Sequence, residues 1–342
     1  MLRSTIPRIR TLAYLLCLAL LVYVVVYMPT SYTIERPGSA DEVKPMVRVA
    51  EGEMEERGSF MMTTVSVTYA NLALLGLSLL DENADIGKRI KDQDDDEYRI
   101  TQQYYMNSSQ SSAIAAAYRE AGVKFGIETE YVFITTVPDR DPQQKEFITG
   151  DKIIAVEGEK IFTLEGLRNL LESHSVGDVV EVSIERAGRP IEQPVKLVAI
   201  LNDDGTTRPG FGVSTGEVLR IDPENPSDEV YFTQTQVGGP SAGLMFTLEI
   251  YNQLTPGDLT RGYRIAGTGT IKSDGTVGEI GGIQHKVVAA ERRGADIFFV
   301  PEGNFAVAEK KMKETGGSMT LVPVKTLQDA LAYIDKLPVN YG

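Results

Sequence analysis

The sequence has little cysteine and histidine, and it has no block rich in lysine or arginine. Its 342 residues include one cysteine, Cys17, and two histidines, His174 and His285. A single cysteine excludes a disulfide within the chain, and so few nitrogen and sulfur ligands argue against a zinc site. A net charge of −14 without a basic face argues against a nucleic-acid partner. We therefore expect no metal, no cofactor and no nucleic acid.

The composition is that of a globular protein, with 42% apolar and 24% charged residues, so the chain can bury a sizeable core. Residues 11–34 carry no charge, and residues 12–28 are nearly all apolar, long enough to cross a bilayer. Three arginines precede this run and three acidic residues follow it: Arg3, Arg8, Arg10, Glu35, Asp41 and Glu42.

This charge asymmetry predicts a cytoplasmic N-terminus (1–10), a transmembrane anchor (11–28) and an extracellular remainder at the cell membrane, with lipid as a partner of the anchor. A cleaved signal peptide stays open as the alternative. The apolar run is longer than the core of a usual signal peptide, and no small-residue cleavage site follows closely, which favours the anchor.

Residues 35–122 are predicted to be an extracellular spacer followed by the N-terminal part of the last module. The stretch ERPGSADEVKP (35–45) is typical of a spacer, and 58–80 indicates a buried strand that leads into an apolar helix. Residues 97–122 indicate a helix ended by Gly122. The acidic run at 92–97 lacks the glycine and glutamate of a calcium-binding EF-hand loop, which favours a solvated helix start.

Residues 123–203 form a separate module with a strand, a Gly–Asp turn, a second strand, an amphipathic helix and a hairpin. Its pattern resembles a PDZ domain of the type found with bacterial proteases, and five residues carry the resemblance: Gly150, Asp151, Ile153, Val156 and Gly158. The resemblance implies a peptide partner that adds as an extra strand.

The expected peptide groove has one wall on the strand at 130–137 and the other on the helix at 163–174. Its predicted residues are Tyr131, Val132, Phe133, Ile134, Leu167 and Leu171. The stretch GIETEYV (126–132) does not match a carboxylate-binding loop, so recognition of a free C-terminus is not indicated. A small α+β spacer module stays open as the alternative.

Residues 204–342 alternate helices with strands, which indicates an α/β core. Within it, Ser241 follows a Gly–Gly–Pro turn and opens an apolar run in VGGPSAGLMF. Serine is a favoured helix N-cap, so one interpretation is that Ser241 only caps the following helix. The backbone around Gly239, Pro240 and Ala242 also leaves the hydroxyl uncrowded, and the N–H groups of a helix start suit an oxyanion.

A serine nucleophile needs a base, and the histidines are poor candidates for it. His174 lies in the other module. The G-x-S-x-G nucleophile elbow requires a histidine late in the chain, and none follows His285. Lys286 stands early in a helix among apolar residues, where burial would lower its pKa and keep it neutral. A surface lysine on an amphipathic helix is the alternative.

Residues 204–342 resemble the proteolytic domain of the Lon family. The resemblance is carried by three motifs in the family's order: GGPSAG, TGTIKSDGTVGEIGG and the lysine of GGIQHKVVAAERRG. The resemblance implies a Ser–Lys dyad without histidine. Ser241 is similar to the nucleophile, Lys286 to the general base, and Thr268 to the threonine that orients the lysine. Gly238 stands where bacterial Lon commonly has an aspartate.

GTGTIKS (267–273) lacks the glycine that a P-loop requires before its lysine, and no other ATP site is evident. The combination resembles the membrane-anchored, ATP-independent Lon-like proteases of Gram-positive bacteria. That resemblance implies a serine endopeptidase acting on membrane-associated or secreted peptides and unfolded proteins presented by the PDZ domain. The alternative is a membrane-tethered PDZ scaffold with an inert Lon-like domain. A homo-oligomer stays open.

Overall fold

The computed structural model describes residues 5–52, 57–88, 95–138, 146–202, 204–233 and 237–340. They form an N-terminal helix, a mixed sheet with helices on both faces, and a second, antiparallel sheet. This arrangement confirms the predicted fold class, a mixed α/β chain of several domains.

The elements are numbered in chain order. The helices are α1 (Thr5–Tyr27), α2 (Leu72–Ser78), α3 (Asp95–Ala121), α4 (Leu164–Glu172), α5 (Gly243–Leu254), α6 (Ile283–Arg293), α7 (Phe305–Thr315) and α8 (Leu327–Ile334). The strands are β1 (Pro29–Glu42), β2 (Val47–Val49), β3 (Ser59–Asn71), β4 (Asp85–Lys88), β5 (Phe125–Thr136), β6 (Lys152–Val156), β7 (Glu159–Lys160), β8 (Val179–Arg186), β9 (Arg189–Lys196), β10 (Val198–Leu201), β11 (Thr207–Gly210), β12 (Ser214–Pro223), β13 (Val230–Phe232), β14 (Arg264–Gly267), β15 (Thr270–Ile271), β16 (Val277–Gly278), β17 (Ile297–Pro301) and β18 (Thr320–Val324).

Helix α1 contacts the rest of the chain only near its C-terminal end. Its window from Arg10 to Tyr27 has a mean hydropathy of 2.0, and none of that window is buried against the rest of the chain. Long, exposed apolar side chains such as Leu12 and Leu16 cover it. By length and composition the helix fits a membrane anchor, and a signal sequence fits the same criteria.

The predicted spacer at 35–45 is wrong, because most of it is strand β1. This strand pairs antiparallel with β3 along its length and with β4 on its other side, and Ile34 is buried. Proline and glycine, which indicated a linker, lie at an irregularity in the pairing between Pro37 and Ala40. A β-bulge tolerates both residues, since the ladder is already interrupted there.

The first sheet has the strand order β18-β17-β14-β3-β1-β4, with β14 parallel to β3 and β17. Successive side chains point to opposite faces, so Phe60 and Met62 join one core while Met61 joins the other. Helices α3, α5 and α8 contribute to the first core, and α6 and α7 to the second. The sheet is therefore the middle of three layers.

The second sheet has the order β12-β5-β6-β8-β9, and α4 packs on it through Leu167 and Leu171. Strand β12 belongs to this sheet although it lies beyond 203, the predicted end of the module. Local pattern gave no sign of this, because β12 pairs with β5 across a long stretch of chain. The hairpin predicted for this module is formed by β8 and β9, whose turn at Ala187–Gly188 has positive φ at both residues.

Helix α3 lies between the two modules and contacts both. On one side the ring of Tyr104 packs edge-on against Phe133 with centroids 4.5 Å apart, and the Ser111 hydroxyl donates to the carbonyl of Leu219 at 2.7 Å. On the other side, Ser109 donates to the carbonyl of Pro240 at 3.0 Å. The same helix therefore joins the second sheet to the turn that carries Ser241.

Candidate active site

Ser241 lies in a tight turn ahead of α5. Gly239 has a φ of 90°, and its N–H donates to the Gln102 carbonyl of α3 at 2.9 Å. A Cβ on Gly238 would lie 2.7 Å from the Gln102 side chain, so the close approach to α3 requires glycine there. This explains why a Gly–Gly pair precedes the serine.

The N-cap interpretation of Ser241 is wrong. Helix α5 begins at Gly243, its N-cap residue is Ala242, and no side chain caps it. The Ser241 carbonyl accepts from the Gly269 N–H at 2.9 Å, and its hydroxyl faces Lys286. The side chain is thus directed into the site and away from the helix.

Helix α6 begins directly after Gly282, whose φ of 69° turns the chain into the helix. Lys286 lies in the first turn of this helix. The lysine is only 3% exposed. Its Nζ is 2.7 Å from Ser241 Oγ, 3.1 Å from Thr268 Oγ1 and 3.0 Å from the Thr63 carbonyl oxygen. The structure therefore brings the three predicted residues together around one nitrogen.

Thr268 connects the other two residues. It follows β14, is fully buried, and its hydroxyl donates to the Ser241 carbonyl at 3.0 Å. Because that proton is committed to Ser241, a lone pair of Oγ1 faces the Lys286 amine. The Thr63 carbonyl, on β3, is the third partner, and sequence reasoning missed it because a backbone oxygen has no residue-type signal.

Burial lowers the pKa of Lys286 to about 8. Desolvation penalises the ammonium form, so neutral amine is available near physiological pH. A neutral amine has two N–H donors and one lone pair, which matches two fixed acceptors, Thr63 O and Thr268 Oγ1, and one hydroxyl donor, Ser241. The arrangement can take a proton from Ser241.

The histidines do not contact Ser241 in the described chain. His285 is buried beside Lys286, but its Nε2 lies 3.1 Å from an Asp85 carboxylate oxygen on β4. His174 lies after α4 in the second module, with its Nδ1 near the Leu170 carbonyl. A serine–histidine pair is therefore not formed.

A cleft of about 740 Å³ opens in front of the serine. Strand β14 accompanies β3 only as far as Met62, and beyond it residues from Thr63 to Val67 line one side of the cleft. The opposite side is lined by α3 and the serine turn. In the described residues, the N–H groups of Ser241 and Ala242 have no protein acceptor, so both are available for a substrate oxygen.

The predicted peptide groove on β5 is wrong in one of its two walls. Residues Tyr131 to Ile134 lie in a strand that pairs with β12 on one edge and β6 on the other, so no edge is open. Leu167 and Leu171, the predicted helix wall, line a cleft of about 800 Å³. Its other wall is the start of β12 and the loop before it.

That loop, residues 211–213, follows Gly210 at the end of β11, so the stretch reads Gly-Phe-Gly-Val, and Gly212 has a φ of 75°. Strand β12 is the end strand of its sheet, with β5 on one side and the cleft on the other. In the sequence, the sign of this groove is a glycine–aromatic–glycine stretch directly before a strand. The sequence-based prediction did not use it, because it placed the groove loop before β5.

In the described ranges, no cluster of three or more His, Cys, Asp or Glu side chains is close enough to hold an ion. Asp92 and Asp94, in the acidic run predicted to be a solvated helix start, lie outside those ranges.

Comparisons with known proteins match two domain families. A family model for the PDZ domain matches residues 85–197, and the model for the Lon protease (S16) C-terminal proteolytic domain matches residues 233–335. The crystal structure of the PDZ domain of an SdrC-like protein from Listeria monocytogenes is 23% identical, covers 25% of this chain and 87% of its own, and has a TM-score of 0.23.

Several Lon proteases are similar to this chain. That of Aster yellows witches'-broom phytoplasma is 23% identical over 212 residues, which is 60% of this chain and 26% of the relative. That of Methanosphaera stadtmanae is 30% identical over 214 residues, 60% of this chain and 23% of the relative. That of Neorickettsia sennetsu is 34% identical over 99 residues, 29% of this chain and 12% of the relative.

The two family models indicate the class, a proteolytic domain joined to a PDZ domain. More specifically, the chain carries the C-terminal proteolytic domain of Lon protease, and Lon proteases are its homologues. It spans about a quarter or less of the length of the relatives named above.

Proposed function

We propose that this chain is a membrane-anchored serine endopeptidase in which Ser241 is the nucleophile and Lys286 the general base. The observation that supports this proposal best is the 2.7 Å contact between Lys286 Nζ and Ser241 Oγ in a buried pocket that lowers the pKa of the lysine. A neutral amine at this distance is within reach of the hydroxyl proton.

In the first half-reaction, the Ser241 proton passes to Lys286 Nζ as Oγ forms a bond to the substrate carbonyl carbon. The oxyanion that results accepts from the N–H groups of Ser241 and Ala242 at the start of α5. When the C–N bond breaks, the Lys286 ammonium returns the proton to the leaving amine, and an acyl-enzyme remains.

In the second half-reaction, water takes the place of the amine. Lys286 removes a water proton as the hydroxide oxygen attacks the ester carbonyl, and then returns that proton to Ser241 Oγ. Thr268 Oγ1 and the Thr63 carbonyl hold Nζ at 3.1 and 3.0 Å through both halves. The fixed acceptors keep the lone pair directed at the reacting oxygen.

The proposal places α1 in the cell membrane, with the short N-terminus in the cytoplasm and the two modules outside. Arginines precede the apolar run and acidic residues follow it, which supports this orientation. The site acts without ATP, since its chemistry uses only the groups named above. Unstructured or membrane-tethered chains are therefore the expected substrates, and folded proteins should resist cleavage.

The second module would present substrate by holding a peptide in the cleft between α4 and β12. An extended segment can pair with the open edge of β12 while its side chains enter the apolar cleft beside Leu167 and Leu171. This supports a peptide-binding role for the PDZ domain, with the groove strand on β12 and not on β5.

The proposal is tested with variants of the full chain in detergent or vesicles. Ser241→Ala and Lys286→Met, which keeps the buried volume, should each fold and lose cleavage of an unstructured protein by at least about 10³-fold. Exposed matched controls, Ser318→Ala and Lys272→Met, should cleave as the parent does. Cleavage by both site variants at the parental rate would contradict the dyad.

A further inference from the structure

The nine residues after β3, LALLGLSLL at 72–80, carry no charge and lie mostly at the surface. We call this segment the apolar loop. It comprises α2 and the two leucines that follow it, and Leu79 and Leu80 are 77% and 84% exposed. Leu72 and Leu77 are 49% and 59% exposed. Adjacent exposed leucines of this kind mark a contact surface.

The apolar loop lies beside the C-terminal end of α1. Helix α2 packs against α1, and the Asn71 side chain at its start donates to the Val26 carbonyl at 2.5 Å. The same asparagine caps α2 by accepting from the Leu74 N–H. The chain leaves the sheet where Asn71 pairs with Pro29 and returns where Asp85 pairs with Glu35.

Exposed tyrosines surround this end of α1. Tyr23 and Tyr27 stack on the helix with centroids 5.7 Å apart, and Tyr32 and Tyr69 are each 41% exposed on the strands that follow and face it. Tyrosine is enriched at the boundary between acyl chains and water. The belt therefore sets the level of the membrane surface at the place from which the apolar loop projects.

We propose that the apolar loop enters the outer leaflet beside α1, so that the chain is attached to the bilayer at two points. The partner is lipid, through acyl chains that contact Leu77, Leu79 and Leu80. The inference rests on the proposed anchoring role of α1 and goes beyond it. One helix alone allows the modules to pivot, whereas a second insertion next to it fixes their orientation.

The site of insertion also limits the height of the proposed active site. Strand β3 runs without a break from Thr63, whose carbonyl contacts Lys286, to Asn71 beside the end of α1. That length of strand is about 26 Å. A docked apolar loop therefore holds Thr63 at most about that distance from the bilayer surface.

The test uses a fluorescent probe on the full chain in vesicles of phosphatidylcholine and phosphatidylglycerol. Cys17→Ser removes the sole native cysteine, and Leu80→Cys or Leu77→Cys then carries the probe. Leu201→Cys, 73% exposed on β10, is the matched control. Quenching by nitroxide-labelled lipid reports insertion, and quenching by iodide reports exposure to water.

We expect lipid quenching at Leu80→Cys and Leu77→Cys several times stronger than at Leu201→Cys, with iodide quenching in the reverse order. Alkaline carbonate extraction of the same vesicles tests the anchor separately. If the chain stays in the membrane while the loop probes match the control, the two-point attachment is overturned and the anchor stands. If the chain is extracted, the anchor proposal falls, and the loop proposal falls with it.

Discussion

At the scale of single residues, the proposed mechanism depends most on the protonation and position of Lys286. It is buried, its pKa is lowered by desolvation, and three oxygen atoms surround its Nζ. Two of those oxygens, Thr63 O and Thr268 Oγ1, are held by the fold, and the third is the nucleophile. Removing either of the two fixed acceptors would change the orientation of the Lys286 amine.

The pH dependence of cleavage follows from the state of Lys286. Only the neutral amine can accept the Ser241 proton, and its pKa lies at about 8 in the folded chain. The value of kcat/KM should therefore rise about tenfold per pH unit below that pKa and level off above it. Steady-state cleavage of an unstructured peptide across this range measures it, and a flat profile would argue for a different base.

Thr268 offers a sharper test of positioning. Thr268→Val keeps the shape of the side chain and removes the hydroxyl that contacts both Lys286 and the Ser241 carbonyl. We expect kcat to fall about 10–100-fold with little change in KM, as for the loss of a hydrogen bond to a charged group. Thr268→Ser restores the hydroxyl and should recover most of kcat. Equal losses in both variants would mean a packing role only.

At the scale of elements, local pattern predicted strands and helices better than the partners of each strand. The strand and helix at 58–80, the hairpin at Ala187–Gly188 and the lysine-bearing helix α6 all follow from periodicity and turn residues. The spacer at 35–45 failed because a bulge accommodates Pro37 in β1. The groove on β5 failed because β12 covers its edge, and this long-range pairing leaves no local pattern.

In the site, too, some residues could be predicted from the sequence and others could not. Ser241, Lys286 and Thr268 could be chosen from the sequence because residue type and motif order single them out. The Thr63 carbonyl could not be, since any residue supplies a carbonyl. The Gln102 and Ser109 contacts from α3 to the serine turn could not be either, because α3 reaches the turn only in the tertiary fold.

Helix α3 supports the serine turn through Ser109, which is 5% exposed and donates to the Pro240 carbonyl. Ser109→Ala leaves that carbonyl only the longer bond from the Gly243 N–H at 3.4 Å, and we expect a loss of about 1 kcal/mol in unfolding free energy. A fall in kcat should accompany it, because Pro240 precedes the nucleophile. Thermal unfolding and peptide cleavage measure the two effects. Ser112→Ala, on the same helix, is the control, and equal effects of both would contradict a specific contact.

At the scale of the whole molecule, the apolar helix α1 comes first in the chain, and the PDZ domain is inserted between strands of the first sheet. Strands β1 and β3 come before the PDZ domain and β14, β17 and β18 come after it, yet they form one sheet. Since α3 contacts both modules, the PDZ domain is held against the catalytic module on two sides of one helix.

The length of β3 makes a prediction about tethered substrates. Because Lys286 contacts Thr63 and helix α1 ends beside Asn71, about 26 Å of strand separate the proposed site from the proposed anchor. A substrate anchored in the same bilayer would then need at most about eight extended residues between membrane and scissile bond. A series of tethered peptides with increasing linkers should show a threshold at or below that length. Cleavage that is independent of linker length would contradict a fixed height.

The central claim is that Ser241, activated by Lys286, forms an acyl-enzyme. The most direct measurement is mass spectrometry of the full chain after reaction with a peptide β-lactone, which acylates an activated serine as its ring opens. The account predicts one acyl group on the proteolytic fragment that contains Ser241 in the parent and none in Lys286→Met. An acyl group on another residue, or equal labelling of the parent and Lys286→Met, would contradict it.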